Sequence, residues 1–556
     1  MTPSTHFTAG NTPDAPRSDQ QDLLAALATD LRAIGYTVDG VAALLGEAAN
    51  TALNRDQIIP ALIVTEAAAT DEPETAALAA VVRLWLLAEP QRAATLDAAL
   101  PGIRGEGLAE LGLVEPSPGG LLQAKADLRP YGWGGDAATG DRPDAAGSGG
   151  ADLWVASDLA AHQRPGVLRH DHVLGIGQAS TTLVQSTARR PVGRALDLGT
   201  GCGIQTFHLL HHAEHVTATD ISERALAFTR FNLLLNAAEL RLDPADLDSR
   251  VSLRLGSLLE PVAGEEFEFV VSNPPFVITP RTLGEAATDQ FTYRDGGLPG
   301  DDIVASLVQA LPAVLAPGGT AQLLGNWEVT AGTPWAERPQ SWASPDTDVW
   351  FIQREQVGPE QYAETWLQDA SETRDRRLYQ DSYAAYLDDF AARDVEGVGF
   401  GMVWMRRPAA GRAPVLSRFE EITYPIEQPV GPHLGAAVER ADWLAANDLA
   451  ATHLLVADDV TEERHQRPGA EHPGVILLRQ GAGLRRTNLL STELAGFVSA
   501  CDGELSVGQI IGALEALLGS GPMGAGDGAE FDGASFRSGL RTEVGNLVRE
   551  GFLLPA

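Results

Sequence analysis

The sequence predicts an α/β protein with a largely parallel, doubly wound sheet in its middle third, a helical region before it and an α+β region after it. Three observations predict this. Between Arg194 and Met405, short apolar runs alternate with helical patterns, as they do when strands are joined by helical crossovers. The first of these runs, from Arg194, passes directly into a glycine-rich turn ending at Gly203 and then a helix from Ile204. With 556 residues, the chain exceeds one ordinary domain, so further domains are expected on either side.

Taken in order, residues 1–20 are polar and read as a disordered tail without a secretory signal. From Leu23 to about Glu115 apolar residues recur at helical spacing, as in LLAALATDLRAIGY and AALAAVVRLWLLA. The following GLVEPSPGGLLQAKADL reads as a two-stranded wing around a Pro-Gly-Gly turn, so residues 21–150 are expected to form a helical or winged-helix-like domain and its linker. The linker is the Gly/Ala/Asp-rich stretch at 134–150.

The sheet domain is expected over 151–406. Its strands are placed at Arg194–Leu198, His215–Thr219, Val251–Leu255, Phe267–Ser272, Thr320–Leu324 and Val398–Met405, with helices at Ser222–Asn236 and Ile303–Leu315. Residues 329–396 exceed one crossover and are rich in Trp, Tyr and charge, which suggests an inserted subdomain or lid. Residues 407–556 form mixed strands, then three helical segments ending in REGFLLP, an α+β arrangement resembling a winged helix.

Composition narrows the function. A formal net charge of -35 argues against a surface built for non-specific nucleic-acid binding, although a local basic patch remains compatible with it. Lysine occurs once, at Lys125, so part of the acidity reflects a general compositional bias. Two cysteines, Cys202 and Cys501, supply neither a disulfide framework nor a multi-cysteine metal site. No apolar stretch is long enough to span a bilayer, and a cytoplasmic protein without membrane partners is expected.

Three motifs carry the chemistry. In Arg194-Ala-Leu-Asp-Leu-Gly-Thr-Gly-Cys-Gly203, glycines at alternate positions let the backbone approach a ligand at a helix N-terminus. Asp197 precedes Gly199 by two residues, and the dinucleotide GxGxxG spacing is absent. The second motif is Asp220, 17 residues after Gly203, at the tip of the next strand. An acid there can accept both hydroxyls of a ribose, or simply begin the helix that follows. The third is Asn273-Pro274-Pro275-Phe276, directly after a buried strand. The prolines stop strand pairing and present Asn273 at the sheet edge where ligands sit. Its side-chain oxygen and the Pro274 carbonyl offer two acceptors for a planar NH2, and Phe276 a face to stack on it. A plain Pro-Pro turn is the alternative.

In this order, DLGTGCG, Asp220 and NPPF resemble class I, Rossmann-like S-adenosylmethionine-dependent methyltransferases with a seven-stranded sheet. The longer NPPFVITP and the downstream GEAATDQFTYRDGGLPGDDIVASLVQALPAVLAPGGTAQLL look like the HemK family of protein-glutamine methyltransferases, over roughly 193–324. NPPF is also shared with amino-methyltransferases of adenine, guanine and cytosine. The resemblance implies S-adenosyl-L-methionine as cofactor, with Asp197 near its methionine ammonium and Asp220 at its ribose. Thr200, Gly199, Gly201, Gly203, Ile221, Ser257 and Asn273 complete the expected cofactor site. Ser257 stands where the family usually has an acid near the adenine. Asn273, Pro274, Pro275 and Phe276 would hold the acceptor.

Weaker features of the sequence admit plainer roles beside functional ones. HVLGIGQASTT, from His172, could cover the cofactor or merely start a helix. His170, His172, His211 and His212 lack the spacing of a metal site, and no metal is expected. Asn326-Trp327-Glu328 could line the acceptor pocket, with packing the plainer role for Trp327, and Arg294 and Asp295 could position substrate. The expectation is therefore an N-methyltransferase acting on a macromolecule, leaning to a glutamine side chain in a protein such as a translation factor. An exocyclic amine of an RNA or DNA base is the alternative. A non-catalytic binding protein and a small-molecule methyltransferase remain rivals.

Overall fold

The computed structural model describes residues 6–7, 12–55, 57–70, 72–133, 151–160, 163, 169–280, 297–369, 376–520 and 532–556. Two compact units emerge: one built from nearly all of residues 1–421, the other from 422–556 with two short preceding segments.

The first unit is organised by its largest sheet. Its strands in chain order are β1 (Val192–Leu198), β2 (Ala213–Asp220), β3 (Val251–Leu255), β4 (Phe267–Ser272), β5 (Leu315–Thr330), β6 (Asp348–Val357), β7 (Val395–Arg406) and β8 (Ser417–Glu421). Across the sheet they lie in the order β8-β6-β7-β5-β4-β1-β2-β3. The pairs β1/β2, β2/β3, β1/β4 and β4/β5 are parallel. The strand β7 runs against its neighbours β5 and β6. This is a doubly wound α/β sheet, and its winding direction reverses between β1 and β4. Crevices at that reversal, outside the strand C-termini, are where open α/β sheets bind ligands. Both Gly199 and Asn273 follow the last residues of those two strands.

The sheet has eight strands rather than seven. The additional one, β8, lies on the edge beside β6. The strand missed in the sequence is β6, which falls inside the 329–396 segment taken for an insertion. Its residues Asp348–Ile352 are buried without alternation, so the period that marks a half-exposed strand is absent there. Among the described residues, that segment thus supplies a sheet strand and three helices, Glu337–Trp342, Pro359–Asp369 and Arg376–Ala392.

The N-terminal residues are not all a free tail. The Phe7 N–H donates to the Leu253 carbonyl at 2.9 Å, His6 pairs with Arg254, and the Phe7 ring is buried. The exposed edge of β3 is thereby covered. Burial of such a ring stabilises by about 1.5–3 kcal/mol. Helices Gln21–Ala33, Val38–Leu53, Ile59–Ala68 and Pro73–Trp85 follow, then Ala93–Ala99 and Arg104–Glu110. A hairpin pairs Val114–Ser117 with Leu121–Ala124 around the Pro-Gly-Gly turn, with Gln91–Arg92 as its third strand. A second hairpin, Asp127–Trp133 with Ala151–Ser157, packs on the helix Glu223–Leu235. The core of this region continues without a break into that of β1–β3, through Trp85, Trp154, Phe228 and Phe231.

The second unit holds two three-stranded sheets. One joins His453–Val456, Asp502–Ser506 and Leu553–Pro555 with helices Thr492–Ser499, Val507–Ser520 and Gly533–Glu550. The last helix ends at Gly551 in the left-handed conformation (φ 87°), which turns Phe552 and Leu553 back into the core. The other sheet is the meander 460–465, 475–480, 487–490. Among the described residues, no helix is long and apolar enough to cross a membrane.

Candidate functional site

The glycine loop leaves β1 with Gly199, Gly201 and Gly203 all at positive φ (76°, 58° and 93°), a path that side-chain-bearing residues follow at a cost. A Cβ at Gly199 or Gly201 would meet nothing within 4 Å, so the backbone there forms an open cradle. At Gly203 the Cβ would press on Thr229, at 3.2 Å, where the following helix packs. The loop is held from below. The Asn232 amide donates to the carbonyls of Cys202 and Ala156, at 2.9 Å each, and accepts from the Ala156 N–H at 2.7 Å.

Asp197 is fully buried under the loop. Its Oδ2 accepts from Thr206 Oγ1 at 2.6 Å and Thr200 Oγ1 at 2.8 Å, while its Oδ1 is buried without a partner. Burial pushes the Asp197 carboxyl up to about 6, against the two threonine hydrogen bonds that lower it. Thr200 is therefore a support for Asp197 as much as a loop residue.

Asp220 sits at the tip of β2. Its Oδ2 accepts from the Gly201 N–H at 3.0 Å and its Oδ1 from the Ser222 N–H at 2.8 Å. The helix after it is capped by Ser222, whose hydroxyl accepts from the Ala225 N–H, so Asp220 is not the cap. Each carboxylate oxygen retains a further acceptor site. Burial raises its pKa, and hydrogen bonds from the Ser222, Gly201 and Ile221 backbone lower it. Ile221 beside it is 58% exposed, an apolar surface next to a carboxylate. Ser257 is half-buried after β3, and the preceding Gly256 N–H donates to the Asp220 carbonyl at 3.0 Å. Together the β1, β2 and β3 tips bring Gly199 to Gly203, Asp220, Ile221 and Ser257 to one edge of the sheet.

The segment after His172 forms the helix Gln178–Ser186, and Gln205, from the helix after the glycine loop, donates to the Ser180 carbonyl at 2.9 Å. His172 lies 3.6 Å from Asp158, itself bound by both Arg224 nitrogens at 2.6 and 2.9 Å. His208 meets the Tyr131 hydroxyl, and His212 Nδ1 the Arg190 carbonyl. Among the described residues no group of His, Cys, Asp and Glu could hold a metal ion.

The loop that carries Asn273-Pro274-Pro275-Phe276 follows β4. The Ser272 hydroxyl donates to the Leu198 carbonyl at 2.8 Å, tying the exit of β4 to that of β1. Asn273 Oδ1 is buried and has no hydrogen-bond partner, and Asn326 Oδ1 and Thr279 Oγ1 share that condition. Buried polar atoms are rarely left so, and Asp197 Oδ1 under the glycine loop shares the condition. Pro274 is buried; Pro275 and Phe276 are half-buried, and the Phe276 ring stands edge-on to Phe400 at 6.5 Å. The Phe276 carbonyl accepts from Asn326 Nδ2 at 2.7 Å, and the Ile278 N–H donates to the Tyr362 hydroxyl at 2.7 Å.

Tyr362 was not found from the sequence. It lies 84 residues from Ile278, and its place in PEQYAETW reads as an ordinary helix position. Trp327 is a packing residue: fully buried, stacked on Trp335 at 5.7 Å and bonded to Gln353 through Nε1 at 2.7 Å. Glu328 is paired with Arg393 at 2.7 Å, and Asp301 with Arg338 at 2.5 Å. Arg294 and Asp295 lie outside the described residues.

Comparison with known proteins places a likeness over this same stretch. Residues 158–292 match the family described as "Methyltransferase small domain", and residues 33–125 match a "Domain of unknown function (DUF7059)". A "Ribosomal protein uL3 glutamine methyltransferase" of Bradyrhizobium diazoefficiens is 29% identical over 183 residues, 32% of this chain and 54% of that protein. A "Release factor glutamine methyltransferase" of Geobacter sulfurreducens is 31% identical, over 28% of this chain and 51% of that protein. A "Ribosomal RNA small subunit methyltransferase C" of Idiomarina loihiensis is 34% identical, over 22% and 33%. Among solved structures, the T. thermophilus 16S rRNA N2 G1207 methyltransferase with AdoMet and guanosine is 20% identical, covering 40% of this chain and 52% of that one, at a TM-score of 0.23. The chain spans about half the length of the first curated relatives it matches. The stretch that carries the glycine loop, Asp220 and NPPF is thus the one that matches a methyltransferase domain.

Proposed function

We propose that the protein is an S-adenosyl-L-methionine-dependent N-methyltransferase that acts on a planar NH2 group, the side-chain amide of a glutamine in a protein. The observation that carries this reading is Asn273 Oδ1, a buried acceptor without a donor at the strand end next to the glycine loop. An amide or aromatic NH2 offers the hydrogen that this oxygen lacks.

The residues fit the cofactor. The open cradle at Gly199 and Gly201 admits a ligand close to the backbone, and the free acceptor sites of Asp220 suit a ribose diol. Ile221 offers the adenine an apolar face, with Ser257 on its polar side. Asp197, beneath the loop, sets the charge near the methionine end. When bound, the cofactor supplies an electrophilic methyl group. Asn273 Oδ1 and the Pro274 carbonyl hold the two N–H groups, which fixes the nitrogen lone pair toward the methyl. As nitrogen takes the methyl and the sulfur keeps the electron pair of the broken S–C bond, the same oxygens would stabilise the positive charge that grows on nitrogen, until its proton leaves to solvent. Phe276 stacks on the planar group.

Three of the relatives named above act, by their names, on a ribosomal protein, a release factor and ribosomal RNA. The charge of -35 favours the protein acceptor here, because a polyanionic RNA is repelled by such a surface. The flanking regions, with their winged-helix-like elements, would dock this macromolecule in the cytoplasm.

The test is transfer of labelled methyl from S-adenosylmethionine into lysate of cells that lack the gene, followed by protease or nuclease digestion. Release of label by protease is expected. Release by nuclease would transfer the reading to a nucleobase amine, and no incorporation at all would overturn the enzymatic reading.

A further inference from the structure

The loop 273–280 lies between a strand and residues outside the described set, and apart from an isolated β-bridge at Phe276 it belongs to no strand or helix. Its backbone groups must find other partners, and two of them do so on distant elements. The Phe276 carbonyl is held by Asn326 Nδ2, and the Ile278 N–H by the Tyr362 hydroxyl, both at 2.7 Å. The two clamping groups also approach each other, Asn326 Nδ2 to Tyr362 oxygen, at 3.4 Å.

Both clamps rest on rigid supports. Asn326 is fully buried on β5 and faces Phe400 of β7 in register. The Tyr362 ring stacks on that same Phe400, 5.8 Å away at 15° between planes, and meets Phe390 edge-on at 5.4 Å. Tyr386, Leu367 and Ile278 close the cluster. The loop is therefore pinned at two points, three and five residues after Asn273, by side chains that belong to no signature motif.

We infer that Asn326 and Tyr362 are positioning residues for methyl transfer: together they set the path of the NPPF loop and, through it, the place of Asn273 Oδ1. This rests on the reading of Asn273 as the group that receives the acceptor amine. Neither residue touches the glycine loop or Asp220 by any bond described above, so their effect falls on the transfer rate and spares cofactor affinity.

The test compares wild type, Tyr362→Phe and Asn326→Asp in initial rates of labelled-methyl incorporation into lysate of cells lacking the gene, across a range of S-adenosylmethionine concentrations. Thermal midpoints are measured in parallel. Tyr362→Phe keeps the ring packing and removes only the hydroxyl; Asn326→Asp keeps the shape and sets an acceptor against the Phe276 carbonyl. A displaced reacting group lowers rates by roughly 10–100-fold. The expected result is a fall of that size in maximal rate for both variants, with the half-saturating cofactor concentration within about twofold of wild type. Maximal rates within about twofold of wild type would overturn the inference and leave the N-methyltransferase reading standing. A rise in half-saturating cofactor concentration that tracks a lowered thermal midpoint would overturn it too, as general loosening. No incorporation by wild type would overturn the functional reading itself, and this inference with it.

Discussion

The two sides of the sheet edge are built differently. On the β1–β3 side the glycine loop, Asp197 and Asp220 are wired to one another. Thr200 and Thr206 bind Asp197, Gly201 and Ser222 bind Asp220, and Asn232 holds Cys202. All these groups come from residues 197–232, a short and continuous piece of chain. On the β4–β5 side two loop oxygens, those of Asn273 and Thr279, and Asn326 Oδ1 on β5 are buried with no donor, and the loop's supports come from Asn326, Tyr362 and Phe400. One side is organised by local chain; the other is organised by distant packing. The difference fits a division of labour between a cofactor that every turnover shares and an acceptor that must be selected.

Substitutions can break or sharpen this contrast. The largest effect is expected from Trp327→Ala, which empties a fully buried site and removes the bond to Gln353. A loss of about 3–5 kcal/mol in unfolding free energy follows, read by denaturant titration. A loss below about 1 kcal/mol would mean that the β5 side does not depend on its core in this way.

Next is the pH dependence of Asp197, whose carboxyl is pushed up to about 6 from an ordinary 3.8. With the folded pKa above the unfolded one, the folded state binds the extra proton between these values. The stabilisation from this group is therefore full below about 4 and lost as pH rises through 6, to a total of ~3 kcal/mol. The unfolding free energy of wild type minus that of Asp197→Asn should decline by this order between pH 4 and 7. A difference that stays flat would place the carboxyl at its ordinary value.

Asp220→Ala removes a carboxylate with two backbone bonds, and S-adenosylmethionine affinity should weaken by roughly 10–100-fold in calorimetry, the worth of hydrogen bonds to a charged group. Maximal rate at saturating cofactor should change far less. Ser257→Ala is the smallest: a single neutral hydrogen bond at the adenine corresponds to about 2–10-fold in affinity. An unchanged affinity would remove Ser257 from the site.

The same contrast governs how much could be read from sequence. The β1–β3 side is legible because its signals are local: a strand, three glycines and an acid at the next strand tip. The strands β3 and β4 fall on the expected residues, Val251–Leu255 and Phe267–Ser272. The place of Asn273 at the end of β4 was legible too, since the prolines stop strand pairing there. What escaped was non-local or non-periodic. The continuous burial of Asp348–Ile352 hid β6, and nothing near Tyr362 announces a partner 84 residues away. Phe7 escaped as a lone apolar residue in a polar stretch, which carries no periodicity at all.

The central claim is that Asn273 receives the acceptor amine while the glycine loop and Asp220 hold the cofactor. Its most direct test is Asn273→Ala, with labelled-methyl transfer and calorimetric S-adenosylmethionine binding measured on the same preparation. Loss of a pre-placed hydrogen-bond acceptor at a reacting centre costs about 10²–10³ in rate. Transfer should fall by at least that factor while cofactor affinity stays within about threefold of wild type. Full transfer activity in this variant would contradict the account, because the acceptor would then be held elsewhere on the molecule.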